Sequence, residues 1–279
     1  MLYALGPPRL STNVRFFAMK RDRLTIIALA VIACALASVV HEGVGHGGAC
    51  VLSGGKPELM TSMQFQGDDR GLSTAAVKFI AAGGTIANLI FAAVAIMLLA
   101  RRADATWFFL WLIASTNLML ATGYLLYSGV ADIGDWSVII RGWSPGWFWR
   151  VTLALIGGAT YWLTVKWAMR TLGSRLGEDG VREANGLSLV AFITGGALSL
   201  AAGLFDPGGL ILVLISGAAA SLGGTSGLAW GPQLLHDPAF APRRGGALEV
   251  RRSWPLIAAA VAVAAMFILV LGPGVKLSR

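Results

Sequence analysis

Runs of about 20 consecutive apolar residues, each enough to cross the hydrocarbon core of a bilayer as a helix, recur along this chain. Seven are read: Leu24 to about Ser53, Thr74 to Ala100, Ala105 to Gly129, Gly146 to Leu172, Gly186 to Phe205, Pro207 to Trp230, and Pro255 to Val275. Phe205-Asp206-Pro207-Gly208-Gly209 reads as the tight turn between the fifth and sixth runs, because Asp-Pro and Gly-Gly break helices. Only 13% of the 279 residues are charged, against roughly 25% in a typical soluble domain. That is too little charge to cover a water-exposed surface, so a soluble enzyme, a disordered chain and a disulfide-stapled chain are excluded. The expected fold class is all-α: a polytopic transmembrane helix bundle of about seven spans.

Orientation follows from the distribution of basic residues, since cytoplasmic loops collect Lys and Arg. With the N-terminus cytoplasmic, the inner segments hold Arg9, Arg15, Lys20, Arg21, Arg23, Arg101, Arg102, Lys166, Arg170, Arg175, Arg182, Arg243, Arg244, Arg251 and Arg252. The outer segments hold Lys56, Arg70, Arg141, Arg150, Lys276 and Arg279, and Lys78 lies inside the second run. Fifteen against six places the N-terminus inside. The same loops account for the net charge of +8, so no nucleic-acid partner is expected. The expected surroundings are a lipid bilayer, in the plasma membrane of a prokaryote. Cys34 and Cys50 lie about 24 Å apart along a continuous helix, too far to bridge. Trp143, Trp147 and Trp149 suit an interfacial aromatic belt before the fourth run.

Ionisable residues inside a span are costly and mark candidate sites. They concentrate in His41-Glu42-Gly43-Val44-Gly45-His46, which holds two of the chain's three histidines. In the H-E-x-x-H motif two histidines one turn apart bind zinc, and the glutamate activates a water. Here the spacing is one residue longer, so on an ideal α-helix the two histidines would point about 140° apart. Two arrangements restore convergence. In one, Glu42 and His46, at i and i+4, are the ligands with His41 nearby. In the other, a π-bulge with i→i+5 spacing returns His41 and His46 to one face, eased by Gly43 and Gly45. The bulge is the preferred reading. Cys50, one turn past His46, is read as a small buried thiol. His236 lies across the membrane from the cluster.

Three segments make the chain resemble the site-2 proteases, membrane-embedded zinc metallopeptidases. The first is His41 to His46 followed by Gly47-Gly48-Ala49. The second is Ala81-Ala82-Gly83-Gly84-Thr85-Ile86-Ala87-Asn88-Leu89, similar to the family's Ala-Gly-Pro-x-Ala-Asn run with Thr85 in place of proline. The third runs from Asn117-Leu118-Met119 to Asp132-Ile133-Gly134-Asp135, longer than the family's Asn-x-x-Pro and Asp-Gly and without the proline. The resemblance covers residues 24 to about 136. It implies that His41 and His46 bind one zinc ion per chain, that Asp132 or Asp135 is the third ligand, and that a water takes the fourth position. Glu42 would be the general base, and Asn88 would hold substrate or orient a ligand. The implied substrate is a transmembrane segment of another membrane protein.

The expected organisation is a basic cytoplasmic segment over 1–23, a three-span metallopeptidase-like core over 24–136 and a four-span region over 137–279. Span one exits outward, and His41 lies about 26 Å along it from Leu24; Asp132 and Asp135 emerge on the same side. Two other functions fit the same residues: a relative that kept the fold and serves as a binding or regulatory protein, and a proton- or metal-ion-linked transporter.

Overall fold

The computed structural model describes residues 21–99, 104–176, 180–209, 221–237 and 248–278. The protein is mostly helical, and among the described residues five helices are long and apolar enough to cross a membrane: Arg23–Leu52, Thr74–Leu99, Ala105–Ala131, Gly180–Gly203 and Trp254–Leu271. The first begins as α1 (Arg23–Val39), loosens into a π-helical segment (Val40–Gly47) and resumes as α2 (Gly48–Leu52). Next come α3 (Thr74–Leu99), α4 (Ala105–Ala131), the short α5 (Asp135–Ile140), α6 (Gly146–Gly173), α7 (Gly180–Gly203) and α8 (Trp254–Met266).

Local sequence sets the helix ends. Asp22 caps α1 by accepting from the Thr25 amide at 2.9 Å, and Asp104 caps α4 by accepting from Thr106 at 3.0 Å. At the far end of α4, Asp132 takes a left-handed conformation (φ 59°), which stops the helix. The core lies toward the Asp22 end of the bundle, where Trp107, Phe108, Trp111 and Leu112 are fully enclosed. The Trp111 indole donates to the Ala168 carbonyl at 2.9 Å, so α4 is fixed to α6 by a hydrogen bond as well as by apolar contact.

Three outcomes differ from the sequence expectation. The fourth expected span forms as α6, but it carries Arg150, Lys166 and Arg170 and is not among the five most apolar helices. The sixth, Pro207 to Trp230, falls in part on 210–220, outside the described residues; Gly227–Trp230 forms a helical turn. Residues 1–20 of the N-terminal segment are likewise outside them.

The third difference corrects the all-α expectation. A three-stranded antiparallel sheet, ordered β2-β1-β3, is built from β1 (Lys56–Met60), β2 (Phe65–Asp68) and β3 (Val275–Lys276). The seventh span accordingly ends before Val275. These strands are too short to show an alternating pattern, and Pro57 sits inside β1, so the segment reads as a polar loop.

The sheet also fixes relative direction. Asp22 N–H donates to the Val250 carbonyl at 2.7 Å, and Arg252 pairs with Asp22 at 2.7 Å, joining the starts of the first and last spans. Their far ends meet through β1 and β3 and through Ser62 N–H to the Leu271 carbonyl at 2.8 Å. The first and last spans therefore run parallel, and the β1–β2 hairpin lies at the end of the bundle where α1 finishes.

Candidate metal centre

The π-helical segment brings His41 and His46 onto one face. The i→i+5 geometry removes the angular offset of an α-helix, and the two Nε2 atoms stand 3.2 Å apart. Close backbone contact makes the site compact. A Cβ on Gly45 would lie 2.6 Å from Gly84 Cα, so only glycine lets this segment rest on α3. A Cβ on Gly84 would lie 2.6 Å from His41 Nε2 and 2.7 Å from His46 Nε2.

Asp135, on the first turn of α5, completes the group. Its Oδ2 is 3.2 Å from His41 Nε2 and 3.4 Å from His46 Nε2. Zinc ligands at about 2.05 Å in tetrahedral directions lie about 3.3 Å from one another. The three observed separations match that figure. Burial alone would raise the Asp135 pKa, but the two imidazoles beside it outweigh burial and hold the carboxyl below the usual range.

Both imidazoles are oriented from behind. His46 Nδ1 lies 2.7 Å from the Ile80 carbonyl, which only accepts, so Nδ1 carries the proton and a neutral ring keeps a lone pair on Nε2. His41 Nδ1 meets the Asn88 side-chain amide at 3.1 Å. Amide oxygen and nitrogen have the same shape, so the hydrogen-bond network decides which faces the ring. Asn88 Oδ1 is otherwise buried without a partner. The amide nitrogen faces Nδ1 in this structure; with the amide rotated by 180°, Oδ1 would accept from Nδ1–H and leave a lone pair on His41 Nε2. The Tyr124 ring stacks on His41 at 4.8 Å. Two imidazole nitrogens and a carboxylate oxygen thus converge on one point, a donor set that suits a divalent cation. His41, His46 and Asp135 are the one such group of metal-ligating residues among the described residues.

The sequence left Asp132 and Asp135 open, and the geometry separates them. Asp132 is exposed, ends α4 and pairs with Arg150 at 3.4 Å, away from the histidines. Glu42 is not a third ligand in this group. It is buried in the same π segment and accepts a hydrogen bond from the Phe65 amide of β2. Asn88 is fully buried against His41. Cys50 packs by the hairpin, where its sulfur would lie 2.8 Å from a Cβ on Gly55 or Gly67, and takes no part in the group. Lys78 donates to the Arg141 carbonyl at 3.1 Å, outside the site.

Three contributors were not apparent in the sequence. The hairpin supplies the Phe65 amide. Thr85, where the resembled family has proline, accepts from the Trp136 indole at 3.0 Å and so ties α3 to the helix bearing Asp135. Tyr124 backs His41. The adjacency of Trp136 to Asp135 was the one available signal.

A cleft of ≈ 380 Å³ opens beside Glu42, His46 and Asp135 at the hairpin end of the bundle, walled by Phe65, Val77 and Val138. Fold and site together define a helical, membrane-compatible chain with a buried two-histidine, one-carboxylate group beside a glutamate. No family model matches the chain, and no match was found among curated proteins or among solved structures.

Proposed function

We propose that this protein is a membrane-embedded zinc metallopeptidase that cleaves peptide bonds in or near transmembrane segments. The observation that carries the reading is the tetrahedral spacing of His41 Nε2, His46 Nε2 and Asp135 Oδ2 beside the buried carboxyl of Glu42. Zinc at this point would polarise the scissile carbonyl and acidify a bound water. Glu42, on the cleft wall, takes a proton from the attacking water and returns it to the leaving nitrogen as the C–N bond breaks. The Phe65 amide holds the Glu42 carboxyl in place for both transfers. Asn88 and Ile80 fix the two imidazoles.

The membrane arrangement that goes with this reading has seven crossings and a cytoplasmic N-terminus. Gln64 donates to Asp206 at the hairpin end of the bundle, while Gln233 donates to Asn185 near the start of α7. Asp206 and Gln233 thus lie toward opposite ends of the bundle, which supports a sixth span between them. The basic-residue count then turns the cleft to the outer face of a prokaryotic plasma membrane.

A transporter would need ionisable groups through the membrane depth. Inward of Glu42 the lining carries hydroxyls and the Cys34 thiol, which favours the hydrolase. The test is cleavage of membrane-protein substrates in reconstituted vesicles by the zinc-loaded wild type and by Glu42→Gln. The hydrolase reading expects cleavage by the wild type and its loss in the variant, with zinc retained. Bound zinc without cleavage would instead identify a non-proteolytic relative.

A further inference from the structure

A second cavity, of ≈ 70 Å³, lies on the inward side of Glu42, between α1, α4, α7 and residues 221–228. Its lining is unusual for the middle of an apolar bundle. Hydroxyls of Ser38, Thr116, Ser199 and Thr225 come to it from four separate segments, and the hairpin tip covers it with Ser62. Thr116 donates its proton to the Leu112 carbonyl and Thr225 donates to the Ser221 carbonyl. The oxygen of each keeps lone pairs to offer the cavity. Ser62 Oγ is buried with no protein partner. Cavities that stay empty are apolar, whereas a polar one larger than about 10–15 Å³ takes up water that satisfies such groups.

We infer that this cavity is a binding site for a small cluster of ordered waters in contact with Glu42. Glu42 lines both the cavity and the outer cleft, and so do Met63 and Tyr124. A peptide lying in the outer cleft covers that approach to the centre. Water held on the inward side reaches Glu42 without passing the peptide, and one molecule replaces each water consumed per bond. This supply role rests on the hydrolase reading, but the water site itself does not.

The experiment is hydroxyl-radical footprinting by brief X-ray irradiation of the full chain in nanodiscs, in which radicals arise from water already bound. Cys34 and Leu228 border the cavity and line neither the outer cleft nor the other cavities described. Cys50 and Leu112 are equally or more buried and touch none of them, so they are the controls. Cys34 and Leu228 should be oxidised several-fold faster than Cys50 and Leu112. Thr116→Val combined with Thr225→Val keeps the side-chain shapes and should remove most of that difference while the unfolding temperature holds. Equal rates in the wild type, or an excess that the double variant leaves unchanged, would overturn the water site. Fast labelling without peptide cleavage would leave the site standing and remove only its catalytic role. Cleavage without labelling would overturn the water site and leave the hydrolase reading standing.

Discussion

A methyl group at position 84 probes the proposed metal centre from its back wall. In Gly84→Ala the new Cβ would lie 2.5 Å from His41 Cε1, 2.6 Å from His41 Nε2 and 2.7 Å from His46 Nε2. Comfortable contact needs about 3.5 Å, so each ring must retreat by about 0.8 to 1 Å. Zinc–ligand distances tolerate only about ±0.2 Å. Helix α3 has little freedom to compensate, because backing away would open the Gly45–Gly83–Gly84 contact and stretch the Ile80 hydrogen bond to His46. The expected loss of zinc affinity is at least that of removing a ligand-orienting group, about 10- to 100-fold, or about 1.4 to 2.8 kcal/mol. A chelating-indicator competition on detergent-purified protein measures it. Gly48→Ala, with nothing within 4 Å of its new methyl, is the control and should bind zinc as the wild type does. Wild-type affinity in Gly84→Ala, in protein of unchanged unfolding temperature, would refute the placement of the ligands.

Other expectations follow from the same contacts. Asn88→Asp keeps an acceptor on His41 Nδ1 and should retain zinc, whereas Asn88→Leu should weaken binding by about 10-fold or more in the same competition. Asp135→Asn should lose zinc and Asp132→Asn should keep it, as read by metal content after desalting. The Arg252 ion pair and the Thr25 amide hold the Asp22 carboxyl down to about 2, from an ordinary value of 3.8. A lowered folded-state pKa stabilises fully above the ordinary value and is lost as pH falls from there toward about 2. Exchange protection of the Thr25 amide should therefore fall across that window in the wild type, and Asp22→Asn should show no such step.

Much of this architecture is written in period and composition. The first, second, third, fifth and seventh apolar runs all appear as long apolar helices, within a few residues at most ends. The π segment was legible because His41 and His46 can converge only if the helix takes up one extra residue. Asp135 was not separable from Asp132 by sequence, since both follow α4 and their difference arises from the left-handed turn at Asp132. That turn sends Asp132 outward to Arg150 and starts α5 with Asp135 facing the histidines. The hairpin escaped notice for a different reason. Its strands gain their meaning from a pairing between β1 and residues more than two hundred positions later, and no local pattern encodes it. The Phe65 contact to Glu42 and the Asp206 contact to Gln64 are hidden in the same way.

A zinc ion held by two imidazoles and one carboxylate has its own X-ray absorption signature at the zinc edge, read on protein purified without chelator. One zinc per chain is expected, with a first shell of nitrogen and oxygen at about 2.0–2.1 Å and no sulfur. Folded protein without bound metal, or a sulfur shell at about 2.3 Å, would contradict it.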